Sequence, residues 1–335
     1  MTILARLALL LALSLVPEMA EAEPCNGPAT PHVRLCAVMR IGDGPLLSAA
    51  THPDVGENFQ GPAVIRTPDW LPGRLADYYM YFAAHDGDYI RLAYADDLAG
   101  PWTLYGPGSL KDTEVAPFTD TIAGPDVHIF GSAGKVRMYF HTDDYPGSRE
   151  QWNGVAESTD GINFTLASTQ NIGKYYMRVF EWSGQFFGLQ KGWSTAPAEL
   201  GVSDDGIARF AFIKTLSQGS VRHMGLLLKG NILLVFFSRI GDAPERILLS
   251  TIDLAAGPPS TWDLSDAIEV LRPQLAYEGA NFPLVASKKS DATNVNQLRD
   301  PFAFEEGGRT YLFYTVAGES GIALAEIRYE LLGSD

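Results

Sequence analysis

Acids, imidazoles and guanidinium groups stand at the head of short apolar runs at five places in this 335-residue chain. Glu57 and Asn58 precede the first run, Asp126 and His128 open the second, and Arg178 opens the third. Arg222 and His223 open the fourth, and Arg299 and Asp300 the fifth. Two carboxylates brought face to face could perform general acid–base chemistry, one donating a proton while the other activates water. Cleavage of a glycosidic bond with inversion asks for such a pair roughly 6.5–9.5 Å apart. Each acid also has a plainer explanation. Asp300 and Asp126 adjoin prolines and could simply form turns, and Glu57 could be an exposed loop residue.

Whether these groups meet depends on the elements that carry them. The stretch 299–327, RDPFAFEEGGRTYLFYTVAGESGIALAEI, holds three apolar runs separated by a Gly-Gly turn and an Ala-Gly-Glu-Ser loop. Aromatic and branched runs bounded by glycine read as antiparallel strands. Versions of the unit start near positions 57, 121, 175 and 221, most with a fourth run. The fourth run of the fourth unit is placed around Trp262. Units of four short strands that cannot bury both faces alone predict stacking around an axis, as blades of an all-β, five-bladed β-propeller. The fifth unit shows three strands, so its outer strand is expected from the N-terminal segment, which would close the ring. A β-sandwich is the competing architecture.

In a propeller the innermost strands line a central funnel, so the five sets of polar residues are predicted to face one axis. His128 alternates with Asp126 and should share its face. His85 and His141 end the second strands of the first two blades, and His223 should point away from Arg222 if that strand is regular. Arg178, Arg222, Arg239 and Arg299 fall near strand ends; they could bind an acidic substrate group or balance neighbouring acids. Tyr81, Tyr89, Tyr176, Trp193 and Tyr277 are candidates for stacking on sugar rings.

The motifs Gly124-Pro125-Asp126-Val127 and Arg299-Asp300-Pro301-Phe302 resemble the opening motifs of five-bladed glycoside hydrolases of the family 43 clan, with families 32, 62, 117 and 130. The stretch Leu98-Ala99-Gly100-Pro101-Trp102 and the pair Glu278-Gly279 fit the same pattern, over about residues 56–328. The resemblance implies hydrolysis of an oligo- or polysaccharide by funnel carboxylates, commonly with inversion. It implies Asp300 as base and Glu278 as acid, although Glu278 stands later in the chain than the family places its acid. A histidine is the proposed acid in family 117, which makes His223 a rival. Phosphate as nucleophile, as in family 130, a lyase acting on an anionic sugar, and a non-catalytic carbohydrate-binding propeller are the alternatives. Asp126→Asn and Asp300→Asn are each expected to abolish turnover. No cofactor is expected: the sequence has no HExxH or clustered ligand set for catalytic zinc, and although calcium occurs at the axis of such propellers, no residue identifies a structural site.

The bounds agree with an exported globular protein. Residues 1–22 combine Arg6, an apolar run from Leu7 to Val16 and an Ala20-Glu21-Ala22 cleavage site, the pattern of a signal peptide. Residues 23–55 are expected to form an N-terminal extension pinned by a Cys25–Cys36 disulfide, and residues 56–335 one propeller domain. Composition is globular, at 46% hydrophobic and 19% charged. A net charge of −15 argues against nucleic acid as a partner, and no further run is long enough to insert in a membrane.

Overall fold

The computed structural model describes residues 25–333 apart from 86, 119–120, 144–150, 194 and 291. The expected signal peptide lies outside the described residues. The chain forms a five-bladed β-propeller. Blade one comprises Gln60–Arg66, Tyr78–Ala83, Tyr89–Ala95 and Thr103–Lys111. Blade two comprises Ala123–Phe130, Lys135–Thr142, Trp152–Ser158 and Thr165–Lys174. Blade three comprises Arg178–Trp182, Gln185–Gln190, Glu199–Ser203 and Ala211–Thr215, and blade four Val221–Lys229, Ile232–Arg239, Ile247–Asp253 and Ile268–Leu271. The fourth strand of blade four thus lies beyond Trp262, whose indole is buried against Phe180 and Phe187 instead.

Blade five takes Arg299–Glu306, Arg309–Val316 and Gly321–Leu331 from the end of the chain and Val33–Ile41 from its beginning. The N-terminal strand runs antiparallel to Gly321–Leu331, from Val33 opposite Leu331 to Ile41 opposite Leu324. The Cys25–Cys36 disulfide is present and ties the preceding residues to this strand.

Sequence pattern follows position in the blade. The second strands, such as YYMYFA in blade one and ILLVFFSR in blade four, are apolar on both faces because each face packs on a neighbouring blade. Outer strands such as Thr103–Lys111 are half exposed and mix polar residues and glycine. Apolar side chains accordingly gather into a separate cluster at each of the five blade interfaces. Their burial, at roughly 1.5–3 kcal/mol for each large side chain, is what holds the ring together.

The inner strands share a second feature. Pairing slips by one residue at the head of blades one, two, four and five, between Gln60 and Ala63, Ala123 and Asp126, Val221 and Met224, and Arg299 and Phe302. These are β-bulges, which re-aim side chains. Gly61 and Gly124 occupy the left-handed region there, at φ 58° in both. A Cβ on Gly61 would sit 3.1 Å from Gly124 Cα, so the two bulges can touch only as glycines.

Candidate active site

The bulges deliver polar side chains to the head of the funnel. Asp300 occupies the bulge of blade five at φ 49°, and Tyr176 heads blade three at φ 51°. Non-glycine residues pay about 1–3 kcal/mol to stay in such conformations, and their presence is a mark of functional sites. Asp300 is fully buried; its Oδ2 accepts a hydrogen bond from the Gly61 amide at 3.2 Å, and its Oδ1 lies against His223 Nδ1.

His223 and Arg222 were expected on opposite faces. Both instead reach the same network, because the bulge between Val221 and Met224 breaks the alternation. Arg222 clamps Glu245 with Nε to Oε1 at 2.7 Å and Nη2 to Oε2 at 3.1 Å. Arg299 donates to Glu319 Oε1 at 2.8 Å and lies 3.5 Å from Glu245 Oε2. Glu245 and Glu319 therefore share one guanidinium. Glu319 Oε2 accepts from Asn58 Nδ2 at 2.9 Å and lies 3.3 Å from His85 Nδ1. Asn58 in turn accepts the His85 amide at 2.8 Å.

At the centre, the Tyr176 ring packs on His223 and His141, with centroids 3.8 and 4.0 Å away, and its hydroxyl accepts from Gln60 Nε2 at 2.8 Å. Electrostatics follow from this crowding. Burial, with the charges of Lys191, Arg222 and Arg178, holds His223 well below its ordinary 6.5, so the imidazole is neutral at neutral pH. Burial does the same to His141, together with His85 and Lys191. For Glu319 burial works to raise the pKa, but the His85 contact, the Arg299 charge and the Asn58 hydrogen bond prevail and hold it below its usual value.

Other candidates lie elsewhere. Asp126 and His128 do share a face, with His128 Nε2 at 2.9 Å from Asp126 Oδ2. They sit beyond the bulge, deeper along the strand, and Asp126 is further engaged by the Val179 amide at 2.8 Å, joining blades two and three. Glu278 is buried away from the funnel cluster. Arg40 of the N-terminal strand holds it at 2.7 and 3.0 Å, Tyr314 donates to it at 3.0 Å, and the amides of Gln274 and Leu275 at 2.8 and 3.0 Å. With these donors filling both oxygens, it does not meet the other acids. Glu57 is exposed on the loop before blade one. Arg178 is a staple between blades, donating to the carbonyls of Met224 at 2.8 Å and Pro125 at 2.7 Å. Arg239 bonds Gln218 and lies over the Phe237 ring at 5.4 Å.

The structure adds three residues that the sequence reading passed over: Glu245, Glu319 and Lys191. All follow a second strand, in the connection that also carries His85. That shared position, repeated from blade to blade, was the available signal.

No family model matches the sequence. Protein R118 of Acanthamoeba polyphaga mimivirus is 38% identical over 302 residues, covering 82% of this chain and 84% of the viral one. The chain belongs to the R118 family. Among solved structures, this member of the R118 family is similar to the GH43 β-xylosidase/α-arabinofuranosidase CoXyl43 from a compost microbial metagenome, in complex with xylotriose. The TM-score is 0.57 at 16% identity, covering 89% of this chain and 96% of that one. The GH43_1 enzyme from Xanthomonas citri, complexed with xylose, gives a TM-score of 0.57 at 13% identity, covering 85% and 89%. An exo-β-1,3-galactanase from Phanerochaete chrysosporium with β-1,3-galactotriose gives 0.56 at 12%, covering 88% and 64%. At these identities the likeness establishes the fold alone: this chain has the propeller fold of the family 43 clan.

Proposed function

We propose that the protein is a secreted glycoside hydrolase that cleaves a glycosidic bond of an oligo- or polysaccharide by general acid–base catalysis with inversion. The observation that carries this reading is one contact network at the head of the inner strands: Glu245 and Glu319 share Arg299, Glu319 reaches His85, and Gln60 and Tyr176 connect His85 to His223 and Asp300. Fold neighbours that hold xylotriose, xylose and galactotriose support a sugar as substrate, and the N-terminal 22 residues support export. Glu319, held ionised, is assigned to the activation of water. Asp300 is assigned to proton delivery, since among the described residues no lysine or arginine pairs with it, whereas arginines pair with both glutamates.

A screen on aryl glycosides and polysaccharides, with the product anomer followed by NMR, tests the reading. Release of sugar with inverted configuration, lost in Asp300→Asn and Glu319→Gln, is the expected outcome. Unchanged release by both variants would sink it. One observation favours a non-catalytic sugar-binding propeller: all three carboxylates are fully buried and already engaged. Sugar binding without turnover on any substrate of the panel would decide for that reading.

A further inference from the structure

Lys191 directly follows the second strand of blade three, and its amide donates to the Tyr175 carbonyl at 3.2 Å. It thereby takes the place that His141 has in blade two, opposite Ala123, and Arg239 in blade four, opposite Val221. The side chain is 3% exposed. Its ammonium lies 4.9 and 5.2 Å from the ring centroids of Tyr175 and Tyr176. Among the described residues no carboxylate comes within ion-pair distance of it, whereas Arg222 and Arg299 at the same funnel head are paired with Glu245 and Glu319. A buried ammonium that lies against two aromatic rings with no carboxylate at ion-pair distance is under-compensated, because cation–π contact replaces little of its lost hydration.

We propose that Lys191 is the subsite for an acidic group on the substrate, so that the sugar recognised is anionic, carrying a carboxylate or a sulfate ester. The proposal rests on the funnel head being the sugar site. Of the arginines suspected from sequence, Arg222 and Arg299 are committed to glutamates, Arg178 to backbone carbonyls and the half-buried Arg239 to the side-chain oxygen of Gln218, which leaves Lys191 as the buried cation whose charge an incoming anion would complete. The groups around it reinforce this. Burial first, then the charges of Arg222, Lys289 and Arg299 against the opposing pull of Glu245, lower its pKa to about 7. Neutral His141 and His223 face the same space and add no charge, and Tyr176, pushed up by burial, stays un-ionised. An anion beside Lys191 favours the ammonium, so binding above neutrality takes up a proton and affinity falls as pH rises.

Calorimetric titration of the purified protein with D-galacturonate, D-galactose 6-sulfate and D-galactose tests this, comparing wild type, Lys191→Met and Lys191→Arg. The expected result is preference for the acidic sugars near pH 6, with affinity falling roughly tenfold or more by about pH 8.5. Lys191→Met should lose the preference, and Lys191→Arg should keep it with no such pH dependence. Stronger binding of galacturonate or of the sulfate identifies which acid is recognised. Binding of neither acidic sugar, equal binding of galactose, or a preference that survives in Lys191→Met overturns the inference. Turnover of neutral aryl glycosides with no acid preference would fell the inference and leave the hydrolase standing. Acid-selective binding without turnover would do the reverse.

Discussion

The amide of Gly61 donates to the carboxylate of Asp300 at 3.2 Å, so the first inner strand of the ring bonds directly to the last. The contact exists because both residues occupy bulges in the left-handed region. It makes Asp300 part of both the closure and the proposed chemistry, and the two roles can be separated by mutation.

Asp300→Asn keeps a side chain that tolerates the left-handed backbone. We expect its melting temperature to stay near wild type while turnover drops by about 10²–10⁴-fold, the usual contribution of a proton-transferring group. Thermal melts and aryl glycoside rates measured on one preparation check this. A variant that is folded and fully active contradicts the role.

Glu319 gives a pH signature. Its folded pKa lies below the ordinary 4.5, so it contributes stability that is present above the unfolded value and lost as pH falls through the folded one. In Glu319→Gln that acid limb should flatten. Urea midpoints measured from pH 7 downward provide the comparison, and an identical acid limb in both proteins would show that the carboxylate is not linked to folding in this way.

Glu278 is expected to matter for stability rather than turnover. Breaking its buried pair with Arg40 by Glu278→Ala should cost about 3–5 kcal/mol. The urea midpoint should fall accordingly, while the rate per folded molecule stays close to wild type. Selective loss of turnover with the midpoint unchanged would restore Glu278 to the catalytic group.

For Asp126 the geometry points the same way. Asp126→Ala leaves the Val179 amide and His128 without their acceptor, at about 1–3 kcal/mol. Turnover should persist. A folded but inactive variant would place the chemistry deeper in the funnel than the Asp300 cluster.

Much of the architecture was legible because strands, turns and their order repeat, and local patterning reports them directly. Asp300, His223, Asn58 and His85, which come together in the candidate site, stand where strands begin or end, a position legible in the sequence. Glu245 and Glu319 escaped because Ala-Pro-Glu-Arg and Gly-Glu-Ser read as ordinary loops; only the meeting of blades four and five brings them to the same arginine. The bulges escaped for a different reason. A one-residue slip leaves no trace in the hydrophobic alternation, yet it turns Arg222 and His223 to the same network. Glu278 misled because its Glu-Gly pair belongs to a short helical turn ending at Gly279 in the left-handed conformation.

The outer strand of blade five also constrains how the molecule is made. Val33 must find Leu331 across about 300 residues, so this edge stays unpaired while the intervening four blades are made. Until Gly321–Leu331 has been produced, Val33–Ile41 has no partner strand in blade five. Blade five is completed only when Val33–Ile41 meets Gly321–Leu331, two segments far apart in the sequence.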